Sequence, residues 1–204
     1  MARNASFAKA VPLNLVASPE PRTPKYWDKE QMQKNTVSFS PKCDDCAALC
    51  CVMLPFDGGE DFGFDKAAGE ACKHLKQHAC GIHADLAEQG FAGCQRYDCL
   101  GAGQRVVQEV FAGQSWRSDM SLIGPMEQAF RAMRRLHEDH ALLEAAARLP
   151  LTDDEEAQRL TLLTDLDVTS RQTQTSLAAY ETGPKPRALR GFLAQIKARL
   201  QPRR

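Results

Sequence analysis

Eight cysteines fall between positions 43 and 99, and the rest of the 204-residue chain holds none. They are Cys43, Cys46, Cys50, Cys51, Cys72, Cys80, Cys94 and Cys99. A single cysteine is often just a small buried apolar residue, but eight within 57 positions need another reason. Soft thiolates are the preferred ligands of zinc and of iron–sulfur clusters, so a cysteine-ligated metal site is the chemistry this pattern points to. Zinc comes first, because a closed structural site asks least of the surrounding protein; an iron–sulfur cluster is the alternative. Three histidines, His74, His78 and His83, lie among the cysteines. Neutral imidazole can complete a mixed site, and His83, three residues after Cys80, joins the eight cysteines as a lesser candidate.

The compartment decides whether such cysteines carry metal or pair as disulfides. No apolar run approaches the roughly 20 residues of a membrane span. Pro12 and Asn14 interrupt the AVPLNLVA run where a signal peptide would need a helical segment. The expectation is a cytoplasmic protein with reduced thiols and no membrane partner. The even cysteine count keeps four disulfides as the rival reading.

The elements that must hold these residues divide the chain into three parts. Residues 1–36, with Pro12, Pro19, Pro21 and Pro24, read as a mobile arm that Tyr26 and Trp27 anchor at its end. Residues 37–104 form the cysteine module. Ser40 as cap, Pro41 at the first helical position and Asp44–Asp45 in the first turn predict a helix. On it, Cys43, Cys46 and Cys50 would share roughly a 60° arc while Cys51 points away, which makes Cys51 the candidate for the core. VMLPF predicts a short strand, Phe62 and Phe64 a hairpin arm, and GIHADLAEQG a short helix stopped by Gly90; GFAGC and CLGAGQ read as glycine-punctuated loops.

Residues 105–204 change to helical periodicity. Pro125 opens a long amphipathic helix with Met126, Phe130, Met133, Leu136, Leu142, Leu143 and Leu149 on its apolar face. Thr152 and Glu155 form a capping box for a helix bearing Leu160, Leu163, Leu166 and Leu177. Gly183–Pro184 breaks it, and a last helix from Arg187 to Leu200 carries Leu189, Phe192, Leu193, Ile196 and Leu200. His137 and His140, on the long helix, read as surface residues. The predicted fold is mostly α, with α+β character in the cysteine region: an irregular cysteine-rich metal module followed by a C-terminal helical bundle.

In order, these cysteines read CxxC, a vicinal CC, CxxL, CxIH and two closing cysteines, which resembles the YkgJ-type cysteine-cluster family. Cys43 and Cys46 match its first pair, Cys50 and Cys51 its vicinal pair, Cys72 its middle cysteine, Cys80 the one before Ile82, and Cys94 and Cys99 its last two. That family is described as zinc- or iron-chelating, and a relative that methylates flagellin lysines is associated with an iron–sulfur cluster. The spacing departs where three residues separate Cys46 from Cys50, and Asp85–Leu86 stands where the family often has Arg-Pro. CGIHADL, GFAGC, YDC and GAGQ are also similar to the leader region of some bacterial pentapeptide-repeat proteins, whose repeats are missing here.

Charge separates the parts again. Residues 43–99 hold ten acids and four bases, whereas residues 183–204 hold seven bases and no acid. The basic tail could touch phosphates, yet it lacks interleaved aromatics, and a formal net charge of +0 argues against a dedicated nucleic-acid binder. No Ser/His/Asp triad, P-loop or dinucleotide fingerprint is present. The leading expectation is a metal-binding protein with no catalytic residue assigned. The alternatives are an iron–sulfur or metal-dependent enzyme that modifies a protein or peptide, and an interaction module whose metal only staples the fold around a protein or peptide partner.

Overall fold

The computed structural model describes residues 37–77 and 79–201; the predicted N-terminal arm and His78 lie outside them. The chain is mostly α-helical. Short helices α1 (Leu49–Met53), α2 (Ala92–Arg96) and α3 (Ala102–Arg105) belong to the cysteine region. Four longer ones follow: α4 (Ile123–Ala146), α5 (Asp153–Leu166), α6 (Gln174–Thr182) and α7 (Lys185–Leu200). The one sheet among the described residues is a two-stranded antiparallel pair, β1 (Leu75–Lys76) and β2 (Ala79–Cys80), with Leu75 opposite Cys80.

Helix α4 is the spine. Met126, Phe130, Met133, Leu136 and Leu143 recur at helical spacing and are all but fully buried. Against them pack α1 through Leu49 and Val52, the α3 segment through Ala102 and Val106, and α6 through Leu177. Helix α7 closes the far side with Leu189, Phe192 and Ile196. The residues before and after position 104 therefore share one hydrophobic core. The apolar stripes are narrower than their sequence suggests: Leu142, Leu149, Leu160 and Leu200 are exposed.

Local chemistry sets the helix ends. The Thr152 hydroxyl accepts from the Glu155 amide and the Glu155 carboxylate from the Thr152 amide, as the capping box predicts. Leu177 does not share that helix, because Asp167 turns left-handed (φ 50°) and ends α5 after Leu166. A second reciprocal box, Thr173 with Ser176, starts α6. Pro186 sits in the first turn of α7, where its missing N–H costs nothing.

The cysteine region departs most from expectation. The helix predicted from Pro41 is a 3-10 turn, Cys43–Asp45, followed by Ala47 and Ala48 with φ of 53° and 54°. That left-handed pair separates Cys43 and Cys46 from α1, so no single helix face presents the three thiols. VMLPF does not form a strand: Val52 and Met53 close α1, and only Phe56 bridges, to Lys66. GIHADLAEQG yields only a 3-10 turn, His83–Asp85, before Gly90 turns left-handed (φ 80°). The two glycine-punctuated loops instead contain α2 and α3, the latter continued by a π-helical turn, Val106–Val110.

Candidate metal centre

Two clamps position the first four cysteines. The Gln104 side chain accepts from the Lys42 amide (2.7 Å) and donates to the Ser40 carbonyl (3.0 Å), fastening the strand before Cys43 to the segment after Cys99. The turn itself is held by Gln108, which donates to the Asp45 carbonyl (3.1 Å), and by the Trp116 indole, which donates to the Ala47 carbonyl (3.0 Å). These bonds satisfy carbonyls that a left-handed turn leaves without helical partners. Cys46 is the most buried of the eight and lies against α3, where a Cβ on Gly103 would overlap its sulfur. Cys51, the sequence candidate for the core, is instead partly exposed, since the break at Ala47–Ala48 turns α1 about a different axis.

The remaining cysteines lie on segments that backbone bonds and aromatic packing place in turn. The Cys72 amide donates to the Cys51 carbonyl (2.9 Å), and the Leu75 amide to the Cys72 carbonyl (2.9 Å). Strand pairing then sets Cys80 opposite Leu75. Cys94, on α2, is carried by a knot of aromatics: Phe91 packs edge-on against Phe56, Phe62, Phe64 and His74. Gly93 is required there, because any Cβ would enter the Phe62 ring. All eight cysteines are free thiols, none joined in a disulfide. Among the described residues, no group of three or more Cys, His, Asp or Glu side chains is arranged to hold a metal ion.

Burial pushes Cys46 up to about 12 and Cys94 up to about 11, and it also raises Cys43 and Cys80. Neighbouring sulfurs add to each shift, whereas the Ile82 amide at Cys80 pulls the other way. Cys50 moves down, chiefly because the Cys51 thiol hydrogen-bonds to it, and Cys51 moves up for the same reason. The thiols that burial raises hold their protons at neutral pH, so an ion that binds them must displace protons.

His83, the lesser candidate, is exposed on its 3-10 turn, and His74 is engaged with the aromatic knot. His137, read as a surface residue, is fully buried. Its Nδ1 lies 2.6 Å from the Leu100 carbonyl and its Nε2 2.9 Å from the Arg105 guanidinium. Burial, then Arg105 and His140, hold it down at about 4, opposed by the Leu100 carbonyl and Glu109. Arg105 continues to Glu109 and to the Val168 and Ser170 carbonyls, tying the cysteine loop to the helical part.

Sequence reasoning missed Lys66. Its side chain is 4 % exposed and its Nζ donates to the carbonyls of Val52 (3.0 Å), Ala67 (3.0 Å) and Glu70 (2.8 Å). Burial lowers it, and Cys72, Glu70, Cys51 and Cys50 oppose that shift. The only signal was that it is one of four bases in an acidic region. Tyr97 was also missed; its hydroxyl is buried with no hydrogen-bond partner, beneath the Arg134 guanidinium. A cleft of about 580 Å³ is lined by Arg134 together with Leu100, Arg131, Arg135 and Glu138 among others.

No family profile matches the chain, and no solved structure matches it. The uncharacterized protein YybG of Bacillus subtilis (strain 168) is 44% identical over 101 residues, which make up 49% of this chain and 36% of that protein. The match thus covers about half of this chain and little more than a third of its relative.

Proposed function

We propose that this is a metal-binding protein that holds zinc, or iron as an iron–sulfur cluster, through the thiolates of residues 43–99. Residues 37–104 act as the metal module and the helices after them as its support, in a reducing, cytoplasmic setting. One observation carries the reading. Eight free cysteines, far apart in sequence, lie on segments that hydrogen bonds fasten together, residues 40 and 42 to Gln104 and Cys72 to Cys51. A core would be served as well by alanine or valine, and most of these thiols are only partly buried. The YkgJ-type resemblance points to the same chemistry. The test is elemental analysis with a visible spectrum on protein purified anaerobically from cells supplied with zinc and iron. The reading predicts stoichiometric metal; a chain with none overturns it.

The cleft lined by Leu100 supports a second reading, an iron–sulfur or metal-dependent enzyme acting on a protein or peptide. Leu100, the residue after Cys99, forms part of its wall, together with the guanidinium-bearing Arg131, Arg134 and Arg135. A brown preparation bleached by dithionite favours this reading; a colourless zinc protein with every ligand filled removes it.

A further inference from the structure

The segments bearing the eight cysteines part company at the Cys50–Cys51 peptide. On one side, Gln104 fastens residues 40 and 42 to α3, which begins three residues after Cys99, and the Ala102 amide donates to the Cys99 carbonyl (3.0 Å). Cys46 sits against Gly103 in that same helix. On the other side, Cys72 is bonded through its amide to Cys51, and the hairpin that starts just after Cys72 brings back Cys80. The aromatic knot joins Cys94 to this side, because Phe91 and Phe64 both pack on His74, two residues after Cys72.

We propose that the cysteines form two four-thiolate metal sites, Cys43, Cys46, Cys50 and Cys99 in one and Cys51, Cys72, Cys80 and Cys94 in the other, which adjoin at the vicinal pair. This rests on the metal-binding reading above and adds how many ions the chain takes and which thiolates share each. Packing divides along the same line. Cys46 lies in the main hydrophobic core and Cys50 and Cys99 pack against it, whereas Cys51, Cys72, Cys80 and Cys94 do not.

Lys66 belongs to the second site. Four thiolates around a divalent ion leave a net charge of about −2. The buried ammonium, hydrogen-bonded to the carbonyls of Val52, one residue after Cys51, and of Glu70, two residues before Cys72, supplies a compensating positive charge. It is a positioning residue and not a ligand. Each ion that binds displaces the protons of its thiols into solvent.

The test is anaerobic titration of the metal-free full chain with Co(II), read by thiolate-to-cobalt charge transfer and by the ligand-field bands of a tetrahedral sulfur site. The wild type takes two equivalents. C43S/C99S and C72S/C94S each retain one equivalent with an all-sulfur spectrum, and C43S/C94S retains none. In the C43S/C99S background, Lys66→Met weakens the remaining equivalent about tenfold, while in C72S/C94S it changes nothing. Circular dichroism of the α4–α7 helices confirms that each variant is folded. Saturation of the wild type at one equivalent, or equal loss in all three double variants, overturns the partition and leaves the metal-binding reading standing. A wild type that takes no Co(II) overturns both.

Discussion

The cysteine region and the four long helices are built on different physics. Helices α4–α7 close by apolar burial: Phe130, Met133, Leu177 and Phe192 are sealed, and capping boxes end the frayed termini. The segment from 37 to 104 has short elements and few large sealed side chains beyond Leu49, Val52 and Met53. Of the six left-handed non-glycine residues among the described residues, four, Ala47, Ala48, Gln77 and Leu100, lie in it. Such residues persist only where surrounding structure over-determines them, each at roughly 1–3 kcal/mol. At Ala47–Ala48 the hydrogen bonds from Gln108 and Trp116 supply part of that support. The contrast teaches that the two regions, though they share a core, should fail for different reasons.

Removing metal tests this contrast most severely. Structural zinc contributes roughly 10–16 kcal/mol in small cysteine modules. Chelation should therefore strip hydrogen-exchange protection from residues 43–100 while α4–α7 keep theirs and most of the far-ultraviolet helical signal. Equal loss in both regions would show one cooperative unit and dissolve the distinction.

Phe130→Ala should do the reverse. Its ring is fully buried between α4 and its neighbours, so truncation should cost about 3–5 kcal/mol in urea unfolding. Metal stoichiometry should hold as long as the chain is folded.

His137 ties the two regions together and should respond to acid. Its folded value of about 4 lies below the ordinary 6.5, so the folded state favours the neutral ring. The stabilisation is complete above pH 6.5 and is lost as pH falls toward 4, amounting to about 3 kcal/mol at most. His137→Gln should flatten the urea midpoint across pH 7 to 4 relative to wild type; an unchanged slope would remove the histidine from the account. Thr152→Ala should have the smallest effect, about 1 kcal/mol from one lost cap, with no change in metal content.

The helical half was legible because its signals are local. A capping box spans four residues and an apolar stripe repeats every turn, so Thr152, Pro125 and Gly183–Pro184 marked boundaries near where the structure has them. Which leucines face water was less legible, since Leu142 and Leu160 fit the stripe but find no neighbour. In the cysteine region the ligand candidates could be read from residue type, but their arrangement could not. Ala47 and Ala48 are the best of helix formers, and their left-handed turn is held by Gln108 and Trp116, more than sixty residues downstream. Lys66 reads as an ordinary surface cation in sequence, yet three carbonyls, one of them Val52 fourteen residues upstream, close around it. The burial of His137 depends on Leu100 and Arg105, which no spacing on its own helix reveals.

X-ray absorption at the metal edge of the purified protein tests the central claim most directly. The account predicts a first shell of sulfur alone, four atoms per metal at about 2.3 Å if the ion is zinc. A first shell of nitrogen and oxygen, with the cysteines still titrating as free thiols, would contradict it.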